Sequence, residues 1–220
     1  MEPQPGHSGG PGLAEEGRAH SISPPPDGAN GLRRLIPRDL VALQWCPTLL
    51  YFRRRGPSIG FAPRHYGPEE RLEHEKLLEE ARGELAGEHP RCRIVEEPLL
   101  DSPAFGVRGM PDLLLDCPGK CIVVEIKTRR AKHGLDKLQL AIYAELAQDT
   151  LCTRKQVQAL LTAGGTREQI KPHRQSIAQL ARRARKILRA HTPPPPTGRK
   201  PGACRACLFR NICPYAEERE

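Results

Sequence analysis

The chain has 220 residues, of which 38% are hydrophobic and only 4% aromatic. That length supports one sizeable domain whose core is built on Leu, Val, Ile and Ala rather than on aromatic packing. The net charge is +9, and it is unevenly spread: from Arg154 to Ala190, ten Lys and Arg stand against one acid, Glu168. Basic charge this concentrated favours a polyanionic partner, although a solvated helix face would look the same in isolation. No apolar run approaches the ~20 residues needed to span a bilayer, and the N-terminus lacks the apolar stretch of a secretory signal. The expected compartment is the cytoplasm, where thiols stay reduced.

Residues 1–35 are rich in Pro, Gly, Ser and Glu and read as a disordered tail, because they bury too little apolar surface to offset ordering entropy. Residues 36–192 form the predicted domain, and 193–220 a linker with a cysteine-bearing segment. Arg38 to Arg55 is expected to be helical on both sides of Cys46, with Pro47 in the first turn of a new helix and Gly56-Pro57 ending it. Pro68 to Ala86 is a helix with Leu72, Leu78, Ala81 and Leu85 as its apolar stripe. The period then changes. Arg91–Leu100, Val107–Leu115 and Lys120–Thr128 read as three strands. Leu135–Ala147 is a helix, Gln156–Thr162 and Glu168–Lys171 are two further strands, and His173–Ala190 is a long helix. Its Ile177, Leu180, Ala184, Ile187 and Leu188 share one face, with Arg182, Arg183, Lys186 and Arg189 opposite. Pro193 to Pro196 stop it. The order predicts an α/β fold, a mixed central sheet flanked by helices.

Chemistry concentrates in Gly109-Met110-Pro111-Asp112 and in Cys121–Lys127. On a strand, Ile122, Val124 and Ile126 face one way and Val123, Glu125 and Lys127 the other. Two charges closing an apolar strand are costly unless they are paired or bind something. If this strand and the preceding one form a hairpin, Asp112 and Glu125 converge as a hard oxygen site of the kind Mg²⁺ or Mn²⁺ prefers. Lys127 beside them suits phosphodiester hydrolysis, orienting or deprotonating a water and offsetting charge on phosphorus. A structural Glu125–Lys127 or Asp112–Lys127 ion pair gives the same pattern. Gln139 and Tyr143, four apart on the next helix, share a face that can hold Lys127 or a nucleic-acid backbone. His74 on the preceding helix can add an imidazole ligand.

Cys92, Cys117, Cys121 and Cys152 sit in or beside apolar segments and read as ordinary buried thiols. Cys204, Cys207 and Cys213 lie in a tail too poor in apolar residues to fold unaided, so a metal centre is the natural organiser. Cys46 is the candidate fourth ligand, being the remaining cysteine outside the strands and the Leu-rich helix. Four cysteines suit a [4Fe–4S] cluster or a structural Zn²⁺.

The run Gly109–Asp112, then Glu125-Ile126-Lys127, then Gln139-xxx-Tyr143 resembles the PD-(D/E)xK nucleases of the RecB type. With His74, Cys46 and the Cys204-x2-Cys207-x5-Cys213 tail, the chain resembles more narrowly the CRISPR-associated RecB-like nuclease, the fourth Cas protein family. The similarity runs from about Arg38 to Tyr215 and includes Glu97–Leu115. It implies a restriction-endonuclease-like nuclease core with a C-terminal iron–sulfur clip. Asp112, Glu125 and His74 become metal ligands, the Ile126 carbonyl a further one, Lys127 the catalytic lysine, and Gln139 and Tyr143 the supporting motif. It implies a [4Fe–4S] cluster on Cys46, Cys204, Cys207 and Cys213. It further implies DNA, single-stranded or frayed, as substrate, and prespacer trimming beside the CRISPR integrase proteins. Rival readings are a stand-alone RecB-like repair or phage exonuclease, and an inactive DNA-binding module.

Overall fold

The computed structural model describes residues 34–56, 67–128, 133–171, 174–197 and 203–216. Most of the predicted N-terminal tail lies outside the described residues. Arg34 and Leu35 already belong to the fold, since Leu35 is buried and bridges to Val107.

Two short helices come first, α1 (Pro37–Trp45) and α2 (Pro47–Arg55), separated by the extended Cys46. Pro at the first helical position starts each of them, where its missing N–H has no partner to lose. Asp39 caps α1 by accepting the Ile36 N–H at 2.9 Å and pairs with Arg54 of α2 at 3.0 Å, so one carboxylate joins the two helices. Next come α3 (Pro68–Glu88), then β1 (Arg93–Glu96), β2 (Leu100–Ser102), β3 (Val107–Gly109), β4 (Leu113–Cys117) and β5 (Lys120–Lys127). The chain continues through α4 (His133–Thr150), β6 (Gln156–Ala163), β7 (Thr166–Ile170) and α5 (Arg174–Arg189), and ends in two 3₁₀ turns, Ala203–Ala206 and Arg210–Ile212.

The expected mixed α/β fold is present. The main sheet runs β1-β4-β5-β6-β7, and β2-β3 form a separate ribbon. Only the β5–β6 pair is parallel, with α4 as its crossover; β1–β4, β4–β5 and β6–β7 are antiparallel. Strand alternation on β5 divides the core in two. Ile122, Val124 and Ile126 pack with Leu113 and Leu115 under Ala81 and Leu85 of α3. Cys121 and Val123 face the other layer, with Leu140, Ala144 and Leu146 of α4, Ile177, Ala181 and Ala184 of α5, and Leu40 and Leu43 of α1.

The structure differs from the sequence reading in four places. The strand expected over Arg91–Leu100 ends at Glu96, because Glu97 takes a positive φ of 44° and Pro98 follows. The strand expected over Val107–Leu115 breaks at Met110-Pro111-Asp112, where Pro111 has no N–H to give a ladder. Leu72 lies outside the α3 stripe and is exposed, because the apolar packing of this helix on the sheet starts at Leu77. The four cysteines read as thiols are paired, Cys92 with Cys117 and Cys121 with Cys152. Both pairs flank the β4–β5 turn, where the sheet brings Cα atoms within 4.2 and 6.3 Å.

Gly109 is a tight joint between three elements. A methyl group there would stand 2.7 Å from Tyr143 Cε1 and 2.8 Å from Pro37 Cγ, so only glycine lets α1, β3 and α4 meet. Gly109→Ala should therefore lower stability by about 1–3 kcal/mol in urea unfolding. An unchanged midpoint would show that these three elements are not in close contact.

Candidate active site and cysteine cluster

The β4–β5 register sets Leu113 opposite Val124, which brings Asp112, just ahead of β4, to the level of Glu125. Asp112 is anchored twice. Its carbonyl accepts the Glu97 N–H at 3.0 Å, and its Oδ2 accepts the Ile126 N–H at 2.5 Å. Its other oxygen, Oδ1, lies 3.5 Å from His74 Nε2, so the first turns of α3 reach over the end of the sheet to the same point. Ile126 contributes backbone here, while its side chain is buried on the α3 side.

Glu125 and Lys127 are both buried, at 4% and 9% exposure, at the end of an apolar strand. Lys127 Nζ donates to Glu125 Oε1 at 2.5 Å, and Gln139 Nε2 donates to the same oxygen at 2.9 Å. Gln139 also donates to the Tyr143 hydroxyl at 3.3 Å, so the pair from α4 forms one face over the carboxylate. Glu125 Oε2 is buried with no hydrogen-bond partner among the described residues. A buried carboxylate oxygen left open in this way is costly, and it is what a divalent cation would satisfy. Asp112 Oδ1, Glu125 Oε2 and His74 Nε2 lie at the same end of the sheet and are the hard oxygen and imidazole donor types that Mg²⁺ or Mn²⁺ takes. Among the described residues no group of three or more His, Cys, Asp or Glu is set as a ready metal site. Loading an ion therefore requires these side chains to close further.

The charges confirm the crowding. Burial pushes the Glu125 carboxyl up to about 7, Asp112 adds to the rise, and Lys127 opposes it. Burial, followed by the nearby Glu125, raises Tyr143, which stays a neutral phenol. His74 is raised chiefly by its hydrogen bond to Asp112, against the cost of burial. One residue of the site escaped the sequence reading. Arg38, exposed on the first turn of α1, is close enough for its charge to lower Glu125 and Tyr143. Nothing in the local sequence marks it, because its place depends on α1 docking at Gly109.

The other four cysteines carry no disulfide. Cys46, Cys204, Cys207 and Cys213 line one cavity together with Trp45, Phe52 and Phe209. Phe52 stacks on Phe209 with ring centres 5.7 Å apart, and Thr48 Oγ1 donates to the Pro194 carbonyl at 2.6 Å. These contacts seat the tail against α2. Burial raises the Cys207 thiol, and the neighbouring Cys213, Cys46 and Cys204 add to the rise. A cationic centre would reverse that balance, since thiolates are the ligating form.

Residues 37–214 match the PD-(D/E)XK nuclease superfamily. The chain belongs to the PD-(D/E)XK nuclease superfamily. The matched residues include Pro111-Asp112 and Glu125-Ile126-Lys127. Nucleases of this superfamily generally use Mg²⁺ or Mn²⁺ and act on nucleic acid phosphodiesters. The crystal structure of SSO0001 is similar in fold at a TM-score of 0.53, with 21% identity over 87% of this chain and 91% of that one. No curated protein matches. Among the described residues, no helix is long and apolar enough to cross a membrane.

The pKa directions give a pH prediction for the PD-(D/E)XK site. Glu125 at about 7 lies above its ordinary 4.5, so the metal-free protein holds a proton that the unfolded chain releases. That stabilisation is complete below pH 4.5 and is lost as pH rises through about 7. The raised His74 acts in the same direction at higher pH. A divalent ion needs both groups deprotonated. Saturating Mn²⁺ should thus raise the melting midpoint by about 3–8 °C at pH 8 and by much less at pH 5.5. Equal increments at the two pH values would count against this ligand set.

Proposed function

We propose that this chain is a Mg²⁺- or Mn²⁺-dependent DNA nuclease that cuts single-stranded or frayed DNA ends and carries a [4Fe–4S] cluster. The observation that carries the nuclease reading is the convergence of Asp112, just ahead of β4, with Glu125 and Lys127 at the end of β5, Glu125 Oε2 being buried and open.

Asp112, Glu125, His74 and the Ile126 carbonyl would hold the ion. When bound, it supplies a Lewis acid for the phosphate and acidifies a water. Lys127 is a buried ammonium with three donors; it holds Glu125 in the ligating orientation and offers a proton donor where negative charge builds on the phosphate. Gln139 shares Glu125 Oε1 with Lys127 and stops the carboxylate from turning away. Tyr143, kept neutral, holds Gln139 in place. Arg38 at the rim adds positive charge on the path of an incoming phosphodiester.

The cluster reading is supported by four cysteines outside the disulfides lining one cavity. Joining Cys46 to Cys204 closes a loop of more than 150 residues, which stabilises the folded chain by roughly 4–5 kcal/mol if the loop-entropy model for cross-links holds for a metal clip. The motif spacing and cysteine set together support the finer reading, trimming of prespacer DNA in CRISPR adaptation beside the integrase proteins. We place the activity in the cytoplasm. There the Cys92–Cys117 and Cys121–Cys152 pairs meet reducing thiols.

With Mn²⁺ and a single-stranded oligonucleotide, Lys127→Ala should be less stable and, at a temperature where circular dichroism shows both proteins folded, should cut at least about 100-fold more slowly than the parent. Equal rates would remove Lys127 from the mechanism, and cleavage by neither protein would leave a DNA-binding module. Purified without oxygen, the parent should be brown. Cys204→Ala should be pale and melt lower, and EDTA should stop cleavage without bleaching the parent. A colourless protein with stoichiometric zinc would overturn the cluster.

A further inference from the structure

Beside the catalytic carboxylates lies a second feature that the chemistry above does not use. A cleft of about 470 Å³ opens between α1, α4 and α5, lined by Gln44, Gly134, Leu138, Gln179, Leu180 and Arg183. Its size falls within the range of small-ligand sites, ~300–1,000 Å³. Its lining is mixed in a specific way. Leu138 and Leu180 are half-buried and apolar; Gln44 and Gln179 are exposed amides with both donors and acceptors; Arg183 is an exposed cation.

The placement matters more than the size. Gly134 and Leu138 lie one turn apart on α4, and Gln139 and Tyr143 of the active site continue the same helix. Leu138 of the cleft and Gln139 of the carboxylate site are consecutive residues of α4, about 100° apart around its axis, so one helix carries a wall of each. On its far wall α5 carries Arg182, Arg183, Lys186 and Arg189 toward solvent, with no acid on that helix. Arg183 gives one Nη2 hydrogen bond, to Thr197 Oγ1 at 3.1 Å, which steadies the guanidinium and leaves further N–H groups of its fork for a phosphate.

Resting on the nuclease reading, we propose that this cleft is a nucleotide subsite. It takes one unpaired base of the strand being cut, on the side of α4 adjoining the carboxylate site. The Leu pair contacts the base face, the two Gln amides meet base edges, and Arg183 meets a neighbouring phosphate. A paired base cannot enter, because its edge is occupied and its face is stacked. The site thus selects single-stranded or frayed ends through shape, while the basic helix supplies affinity that falls with salt.

The test uses two substrates on the full-length protein loaded with Mn²⁺. Bis(p-nitrophenyl) phosphate reports the carboxylate site alone, and a labelled oligodeoxynucleotide, single-stranded or as a blunt duplex, reports the strand path. Arg183→Ala and Gln179→Trp, the latter filling the cleft, are both exposed positions and should melt like the parent. Both should hydrolyse the small diester at the parental rate and bind the single strand about 5- to 20-fold more weakly. Arg183→Ala should also lower the slope of log affinity against log salt by about one. Duplex binding should change much less. Parental single-strand binding in both variants overturns the subsite and leaves the nuclease reading intact. So does equal weakening for strand and duplex, which would mark a general phosphate contact. Loss of small-diester hydrolysis in the variants overturns it as well, since the residues would then act through the carboxylates. If the parent cuts neither substrate, the nuclease reading fails and the subsite with it.

Discussion

The fold is arranged around one awkward requirement, a carboxylate and an ammonium held together inside an apolar strand end. Glu125 and Lys127 point into the α1–α4–α5 layer. Removing either partner from such a pair typically costs several kcal/mol, because the other charge is left uncompensated. The neighbourhood serves that pair. Gln139 shares the carboxylate oxygen, Tyr143 holds Gln139, and Arg38 adds a positive charge at the rim. Asp112 works in the opposite sense, raising Glu125, while its own Oδ1 lies against His74. Structural ion pairs are built to neutralise one another. This one carries a second carboxylate and a buried oxygen with no hydrogen-bond partner among the described residues.

Register is what makes the arrangement possible. A one-residue slip in β4–β5 would turn Glu125 into the α3 layer and Ile126 into the site. Two apolar faces prevent it. Ile122, Val124 and Ile126 are required under α3, and Cys121 and Val123 under α4. The parallel β6 pins the other edge of β5 along its whole length, from Lys120–Gln156 to Lys127–Ala163. A central strand carries the two site residues because its position is the one most tightly fixed.

Much of this was legible from the order of residues alone. The alternation in CIVVEIK placed Glu125 and Lys127 on a common face, and the i, i+4 spacing placed Gln139 beside Tyr143. Both relations are local, set by the period of a strand or helix. The stripe of α5 was legible for the same reason, with Ile177, Ala184, Ile187 and Leu188 buried and the arginines outside. What escaped depends on non-local contact. The break at Met110-Pro111 was hidden by the apolar runs on either side of it, so two sheets were read as one. The pairing of Cys92 with Cys117 and Cys121 with Cys152 follows from strand adjacency that spacing does not encode. Arg38 carries no motif and enters the site only because Gly109 lets α1 approach.

That approach gives α1 a role beyond packing. Its first turn, Pro37 and Arg38, borders the carboxylate site; its last residue, Trp45, and the Cys46 that follows border the cysteine cavity. Nine residues of helix span about 13 Å, a stiff connection between the two centres. Asp39 ties this rod to Arg54 of α2, whose Phe52 stacks on Phe209 of the C-terminal segment. A clip through Cys46 therefore does more than close a loop. If the proposed centre joins Cys46 to the tail, it also fixes the far end of the helix whose near end sets Arg38 and, through Gly109, the position of Tyr143 near Glu125. The two centres need no electron or ligand passing between them to be interdependent; a shared helix, packed at both ends and unable to tilt at one without moving at the other, is sufficient.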